Sequence, residues 1–156
     1  MTTEADLRNR IIGEALLWDL TPYHTHARVL GVGVDCAQLP AAVYEGAAVI
    51  PHLEPEYSSQ WMQHRDEELY LEEIRRWSRE IKVEAAQPAD LLVWKFGRTF
   101  SHSGIIIASG VVLHAWARAG RVVRSDLETE EELKHRECKA FTVFAPDGKL
   151  MRGGVK

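Results

Sequence analysis

Cys36, His102 and His114 form a set suited to attack on a carbonyl by a thiolate. Cys36 ends the small, glycine-broken stretch Gly31-Val32-Gly33-Val34-Asp35 and precedes an apolar, alanine-rich run, Leu39 to Ile50, with helical character. A cysteine placed where a loop becomes a helix meets free N–H groups and the positive end of the helix dipole, which favour the thiolate. The alternative for Cys36 is a buried cysteine serving as a small hydrophobe. His102 and His114 are twelve residues apart on adjacent predicted strands. Ala108-Ser109-Gly110 between them reads as a three-residue hairpin loop ending in a left-handed glycine. That loop pairs Ile107 with Val111, sets His114 opposite Gly104 and sets His102 opposite Trp116. Both histidines then share one face of the sheet on a diagonal of about 7 Å. A two-residue loop would place them on opposite faces.

A nucleophile, a base and a group that orients the base are the minimum for thiol catalysis, and Cys36, His102 and His114 fill those places in that order. Two other readings compete. His114 taken alone suits a hydrogen-bonded core histidine. His24, His26, His102 and His114 together would suit zinc, although no acidic ligand is placed by a motif.

The elements that must position these residues follow from the pattern of apolar and turn-forming residues. Thr3 caps a first helix with Glu4 and Asp6 in its first turn, and Leu7, Ile11, Ala15 and Trp18 form one face. Thr21-Pro22 stops it, and the loop Tyr23-His24-Thr25-His26 follows. The second helix runs to about Val49. If Asp35 caps it, Pro40 cannot donate to the carbonyl of Cys36 and crowds it. An irregular or late start is therefore expected, which weakens the dipole at Cys36. Pro51 to Pro55 reads as a linker. A charged helical segment is expected over 58–82, with Tyr70, Ile74, Trp77 and Ile81 as its apolar stripe and a solvated surface elsewhere. From Gln87 the pattern turns to strands: Leu91 to Phe96, Phe100 to Ile107, Val111 to Ala117, Arg121 to Arg124, and, after a short helix near 129–136, Lys139 to Phe144. Asp147-Gly148 and Gly153-Gly154 read as a frayed tail. Helices followed by an antiparallel meander define an α+β fold.

Composition narrows the function. The chain has 156 residues, 46% apolar and 27% charged, which suits a single domain, 1–156, with a real core. A formal charge of −4 gives no basic footprint for nucleic acid. Two cysteines make neither a disulfide framework nor a zinc-binding pair of CxxC motifs, and no cofactor motif is present. No apolar run is long enough for a membrane span. The start, MTTEADLRNR, has no secretory signal pattern, so the expected location as synthesised is the cytoplasm.

Three segments, TPYHTHARVLGVGVDCAQL, QPADLLVWKFGRTFSHSGIII and VVLHAW, resemble the NlpC/p60 family of cysteine peptidases, and are most similar to its phage-tail-associated type. The resemblance implies a papain-like fold with N-terminal helices packed on a central antiparallel sheet. It implies Cys36 as nucleophile, His102 as base and His114 as the orienting residue. Tyr23 and Asp35 match positions that hold the free amine of the substrate. The implied substrate is a peptidoglycan stem peptide or muropeptide, cut between D-glutamate and a diamino acid. The family pattern Asp-Cys-Ser-Gly is here Asp35-Cys36-Ala37-Gln38, a departure that bears on specificity. With no cell-wall-binding module visible, delivery falls to a partner, as in a phage-tail-like assembly. A non-catalytic structural component of such an assembly, or a thiol acyltransferase on the same scaffold, are the alternatives.

Overall fold

The computed structural model describes residues 1–51 and 69–151. Helix α1 (Glu4–Leu17) starts at Thr3, whose hydroxyl accepts from the Asp6 N–H at 3.1 Å while the Asp6 carboxylate accepts from the Thr3 N–H at 2.9 Å. This reciprocal cap satisfies two donors that a helix start leaves open. Ile11, Ala15 and Trp18 are buried and Leu7 packs beside them, the face that the sequence spacing predicts. A two-residue pair, β1 (Arg28–Val29) and β2 (Gly33–Val34), leads into α2 (Gln38–Gly46). Pro40 falls in the first turn of α2, where a missing N–H is best tolerated.

The expected charged helix does not run to Lys82. Helix α3 (Leu69–Arg75) ends early, and Arg79–Ile81 forms strand β3 at the sheet edge. Two bonds account for the change. Ser78 Oγ donates to the Ile74 carbonyl at 2.7 Å, closing the helix end, and Arg79 to Ile81 pair with Thr142 to Ala140. Tyr70, Ile74 and Trp77 are buried in the main core, whereas Ile81 packs on the opposite face of the sheet. The part of the expected helix before Leu69, and most of the expected linker, lie outside the described residues.

The remaining strands are β4 (Leu91–Phe96), β5 (Thr99–Ala108), β6 (Val111–Trp116), β7 (Arg121–Asp126) and β8 (Cys138–Thr142), with a short helix α4 (Glu131–Lys134) before β8. The six-stranded antiparallel sheet has the order β3-β8-β4-β5-β6-β7. The meander is real for β4 to β7, but the last strand returns to pair with β4 rather than extending the far edge. Alternation along the strands separates two apolar layers. Leu91, Val93, Ile105 and Leu113 pack under the helices, while Leu92, Trp94, Ile106 and Val112 face Leu133 of α4. The Asp147-Gly148 stretch is a closed turn, with Gly148 N–H on the Ala145 carbonyl at 2.8 Å and Met151 N–H on Val143 at 2.9 Å. Gly153-Gly154 lies outside the described residues. No helix among the described residues is long and apolar enough to cross a membrane.

The β5–β6 hairpin differs from expectation in detail and agrees in consequence. Ala108 pairs directly with Val111, so the turn is one residue tighter, and Gly110 takes φ +72° as the sequence predicts. A bulge at Ile107 then restores the expected register: Ile106 faces Val112 and Ile105 faces Leu113. Continued by one step, that register sets His114 beside Gly104. A Cβ on Gly104 would lie 2.6 Å from Val112 Cγ2 and 3.0 Å from His114 Cβ, so only glycine fits there. The ladder stops at Ile105–Leu113, and the histidine-bearing ends of the two strands are left free of mutual pairing.

Candidate active site

A cleft of about 280 Å³ opens at those strand ends, lined by Tyr23, Cys36, Phe96, Ser101, His102 and Trp116, with Arg118 at its rim. Cys36 sits two residues before α2 and is held from both sides. Asp35 Oδ1 accepts the N–H groups of Ala37 and Gln38 at 3.1 and 2.8 Å, and its Oδ2 accepts the N–H of His26 at 2.7 Å. Asp35 thus caps the helix and ties the His24–His26 loop to it. Gln38 is buried and accepts from Arg28 Nε at 2.9 Å, while Arg28 also pairs with Glu45 of α2 at 3.2 Å.

The carbonyl of Cys36 shows how Pro40 is accommodated. The helical donor to that carbonyl would be the N–H of residue 40, which proline lacks. Ser103 Oγ donates to it instead, at 3.0 Å, and Tyr70 lies 2.6 Å from Ser103 Oγ. Since Ser103 spends its one proton on Cys36, the Tyr70 hydroxyl is the donor to Ser103. The backbone of Cys36 is therefore fixed to β5 and α3 through buried hydroxyls.

The thiol itself departs from expectation. Burial, and then the negative charge of Asp35, push the Cys36 thiol up to about 12, against the opposing help of the Tyr23 hydroxyl and the N–H groups of Cys36 and Ala37. The helix terminus does not deliver a standing thiolate, because burial, and then repulsion from the Asp35 carboxylate, outweigh the help of its N–H groups. Burial also raises Cys138 to about 12. The Tyr23 hydroxyl contacts Cys36 and is itself pushed well up, by burial first and then by its neighbours Cys36 and Asp35.

His102 and His114 meet as the register implies. His102 Nε2 lies 2.7 Å from His114 Nδ1, and the rings stand nearly edge to face with centroids 4.9 Å apart. His114 is fully buried, and its Nε2 reaches Ser125 Oγ on β7 at 2.8 Å. Trp94, Phe96 and Trp116 surround the two imidazoles, with ring centroids between 5.0 and 6.4 Å away. This dry aromatic setting disfavours charge. His102 is pushed down to about 3, by burial first and then by the charges of His114 and Arg136, and burial alone takes His114 to about 4. With Nε2 committed to His114, Nδ1 is the ring nitrogen of His102 that remains uncommitted. Cys36 thus rests as a thiol whose Sγ donates to the Ser101 carbonyl at 3.7 Å, on the same cleft as a neutral His102.

These shifts make a stability prediction. Both histidines stay neutral in the folded chain well below the ordinary value of 6.5, at which they titrate when unfolded. From about 6.5 down to about 4 the unfolded chain binds protons that the folded chain does not, so stability falls as pH falls, by up to about 1.4 kcal/mol per pH unit for each site. Above that window neither histidine contributes. Urea midpoints measured across it should slope downward toward acid. The double variant His102→Gln/His114→Gln should lose most of that slope; an undiminished slope would mean that other groups carry it.

Of the residues singled out by sequence, the structure places Cys36, His102 and Tyr23 on one cleft, with His114 behind His102 and Asp35 behind Cys36. His24 packs against Gly33, and the His26 N–H bonds Asp35. Among the described residues no three His, Cys, Asp or Glu side chains are grouped to hold a metal, so His24 and His26 do not join the other two as ligands. Sequence reasoning missed Ser103, Tyr70, Ser125 and the aromatic surround. Ser103 had a signal, since Pro40 announces a carbonyl in need of a donor. Ser125 becomes visible only once Val112 is known to face it, which puts it diagonally beside His114.

No family model matches the chain, and no curated protein is similar to it in sequence. Solved structures do share its fold. The NlpC/p60 domain of the peptidoglycan hydrolase SagA is 18% identical with a TM-score of 0.59, over 85% of this chain and 96% of that one. An NLP/P60-family protein from Staphylococcus aureus, described as similar to a lipoprotein, is 19% identical with a TM-score of 0.60, and an NlpC/p60-family protein from Bacillus cereus is 18% identical with 0.57. This chain spans 41% and 39% of those two longer chains. At such identities the likeness defines the fold: this chain has the α+β architecture of NlpC/p60 domains.

Proposed function

We propose that this protein is a cysteine peptidase that hydrolyses amide bonds in peptidoglycan stem peptides, cutting between D-glutamate and a diamino acid. The observation that carries this reading is the His102 Nε2 to His114 Nδ1 bond of 2.7 Å behind a cleft that Cys36 and His102 line together. The fold shared with the NlpC/p60 domain of a peptidoglycan hydrolase supports the substrate class.

In this mechanism the substrate carbonyl enters the cleft and displaces water from it. His102 Nδ1 takes the thiol proton as Cys36 Sγ bonds to the carbonyl carbon. In this reading the backbone N–H of Cys36 steadies the oxyanion. The imidazolium returns the proton to the leaving amine, the C–N bond breaks, and an acyl-enzyme remains. Water, deprotonated by His102, then releases the acid and restores the thiol. Because the resting pair is neutral, proton transfer accompanies attack rather than preceding it. Tyr23 and Asp35 are assigned to the free amine of the substrate: Tyr23 contacts Cys36, and the charge of Asp35 reaches both. Free stem peptides should accordingly be cut faster than N-acetylated ones, by about tenfold, the worth of one charge-assisted contact. Equal rates would remove Tyr23 and Asp35 from this role and leave Cys36 in place.

The similarity of the three sequence segments to phage-tail-associated members extends the proposal to delivery: the protein is made in the cytoplasm and carried to the wall by a tail-like particle. Incubating the purified chain with a defined stem peptide and identifying the fragments by mass tests the activity. Cleavage at the D-glutamyl bond is expected; an intact peptide would favour a non-catalytic component, and an adduct with an added amine would favour an acyltransferase.

A further inference from the structure

The chain of bonds from His102 to Ser125 has a direction, and that direction decides whether His102 can work as a base. A neutral imidazole has one donor and one acceptor nitrogen. If His102 Nδ1 is bare and ready for a proton, its Nε2 carries hydrogen and donates to His114 Nδ1. The proton of His114 is then on Nε2, donated to Ser125 Oγ at 2.8 Å. If Ser125 donates instead, every bond reverses, His102 carries its proton on Nδ1, and the base position is blocked. Once His102 is an imidazolium only the first direction remains, because both of its nitrogens then donate. A hydroxyl can hold either direction by rotating, which neither an alkyl group nor a pure donor can do.

We propose that Ser125 is a positioning residue that accepts the His114 Nε2–H whenever His102 carries the thiol proton. This rests on the catalytic reading of Cys36 and His102 and extends it by one residue. The proton moves from Cys36 Sγ to His102 Nδ1, the two bonds behind it keep their protons, and no charge reaches Ser125. Ser125 lies almost buried on β7, so its removal takes the hydrogen-bond partner of His114 Nε2 out of a buried setting. The charged and titratable groups around the site, namely Tyr23 and Asp35 beside the thiol, Arg136 over the Phe96 ring at 3.6 Å and Arg118 at the rim, are untouched by a change at Ser125.

The test is the pH profile of Cys36 alkylation by iodoacetamide, read by peptide mapping in the parent, Ser125→Ala and Ser125→Thr, with Cys138 as internal reference. Ser125→Ala should slow Cys36 labelling near neutral pH by about tenfold, the effect of one unmet buried donor, and move the rise in rate to higher pH. Ser125→Thr keeps the hydroxyl on a strand that suits a β-branched residue and should retain the parent profile. A parent-like profile in Ser125→Ala, or equal losses in both variants, would overturn the proposal. A second reading needs no variant: imidazole nitrogen spectra of the parent at neutral pH, where both rings are neutral, should show hydrogen on His102 Nε2 and His114 Nε2, and hydrogen on His102 Nδ1 and His114 Nδ1 would overturn it. No peptide enters either measurement, so a failure of stem-peptide hydrolysis counts against the proposed function separately.

Discussion

Replacing His102 by alanine is expected to lower stem-peptide turnover by about 10²–10⁴-fold, the range that general acid–base catalysis supplies. The expectation is strong because one nitrogen serves two steps. In this reading His102 Nδ1 takes the thiol proton and later delivers it to the leaving amine, and among the described residues no other neutral base lines the cleft. The thiol cannot compensate by ionising alone, since burial and Asp35 hold it near 12. The loss should therefore shrink as pH rises, when hydroxide takes over the base role. A fall in kcat with little change in KM is expected, together with a rate that still climbs above pH 9. A loss confined to KM would make His102 a substrate contact rather than the base. The purified variant should be checked for folding, because His102 is 7% exposed and its removal leaves His114 Nδ1 without its partner.

The second large effect is graded. His114→Ala should lower kcat by about 10- to 100-fold, the consequence of leaving the buried His102 Nε2–H without an acceptor. That is less than the loss of His102, because a poorly oriented base still removes a proton. His114→Asn and His114→Gln should each recover part of the loss, since an amide oxygen accepts the same proton. Gln reaches further than Asn and is the better candidate to bridge to Ser125, 2.8 Å from the present Nε2. A zinc site would give a different pattern, with every ligand substitution equally damaging and no rescue by an amide. His24→Ala and His26→Ala enter the same series as controls: both should leave the chemical step near the parent rate.

How much of this was legible in the sequence depended on whether the information was local. The first helix, its Thr3–Asp6 cap and its buried face were readable because each contact lies within a turn or two of sequence. The strand carrying Leu91 to Phe96 was readable because its bounds are marked by turns. The histidine pair was readable through one glycine: Gly110 takes the left-handed conformation that the hairpin requires, and the bulge at Ile107 restores the register that a tighter turn would have broken. The end of the charged helix was not readable. Arg79 to Ile81 continue a helical pattern, and only pairing with Thr142 to Ala140, some sixty residues away, makes them a strand. The return of β8 beside β4 is likewise a long-range choice that leaves no local mark. At the site, residue types gave the candidates for nucleophile and base, and the hairpin register brought the two histidines together, but protonation was not legible. A helix start suggested a thiolate, whereas Asp35 and burial produce a thiol. Only the packed structure shows which effect prevails.

The central claim is that Cys36 is the nucleophile, and its most direct measurement is turnover of a defined stem peptide as Cys36 is progressively alkylated, with the extent of modification read by peptide mass and a chelator added in a parallel sample. Turnover should fall in proportion to the fraction of Cys36 modified, should be indifferent to modification of Cys138, and should be unchanged by the chelator. Activity that persists with Cys36 fully alkylated and disappears on chelation would contradict the cysteine mechanism.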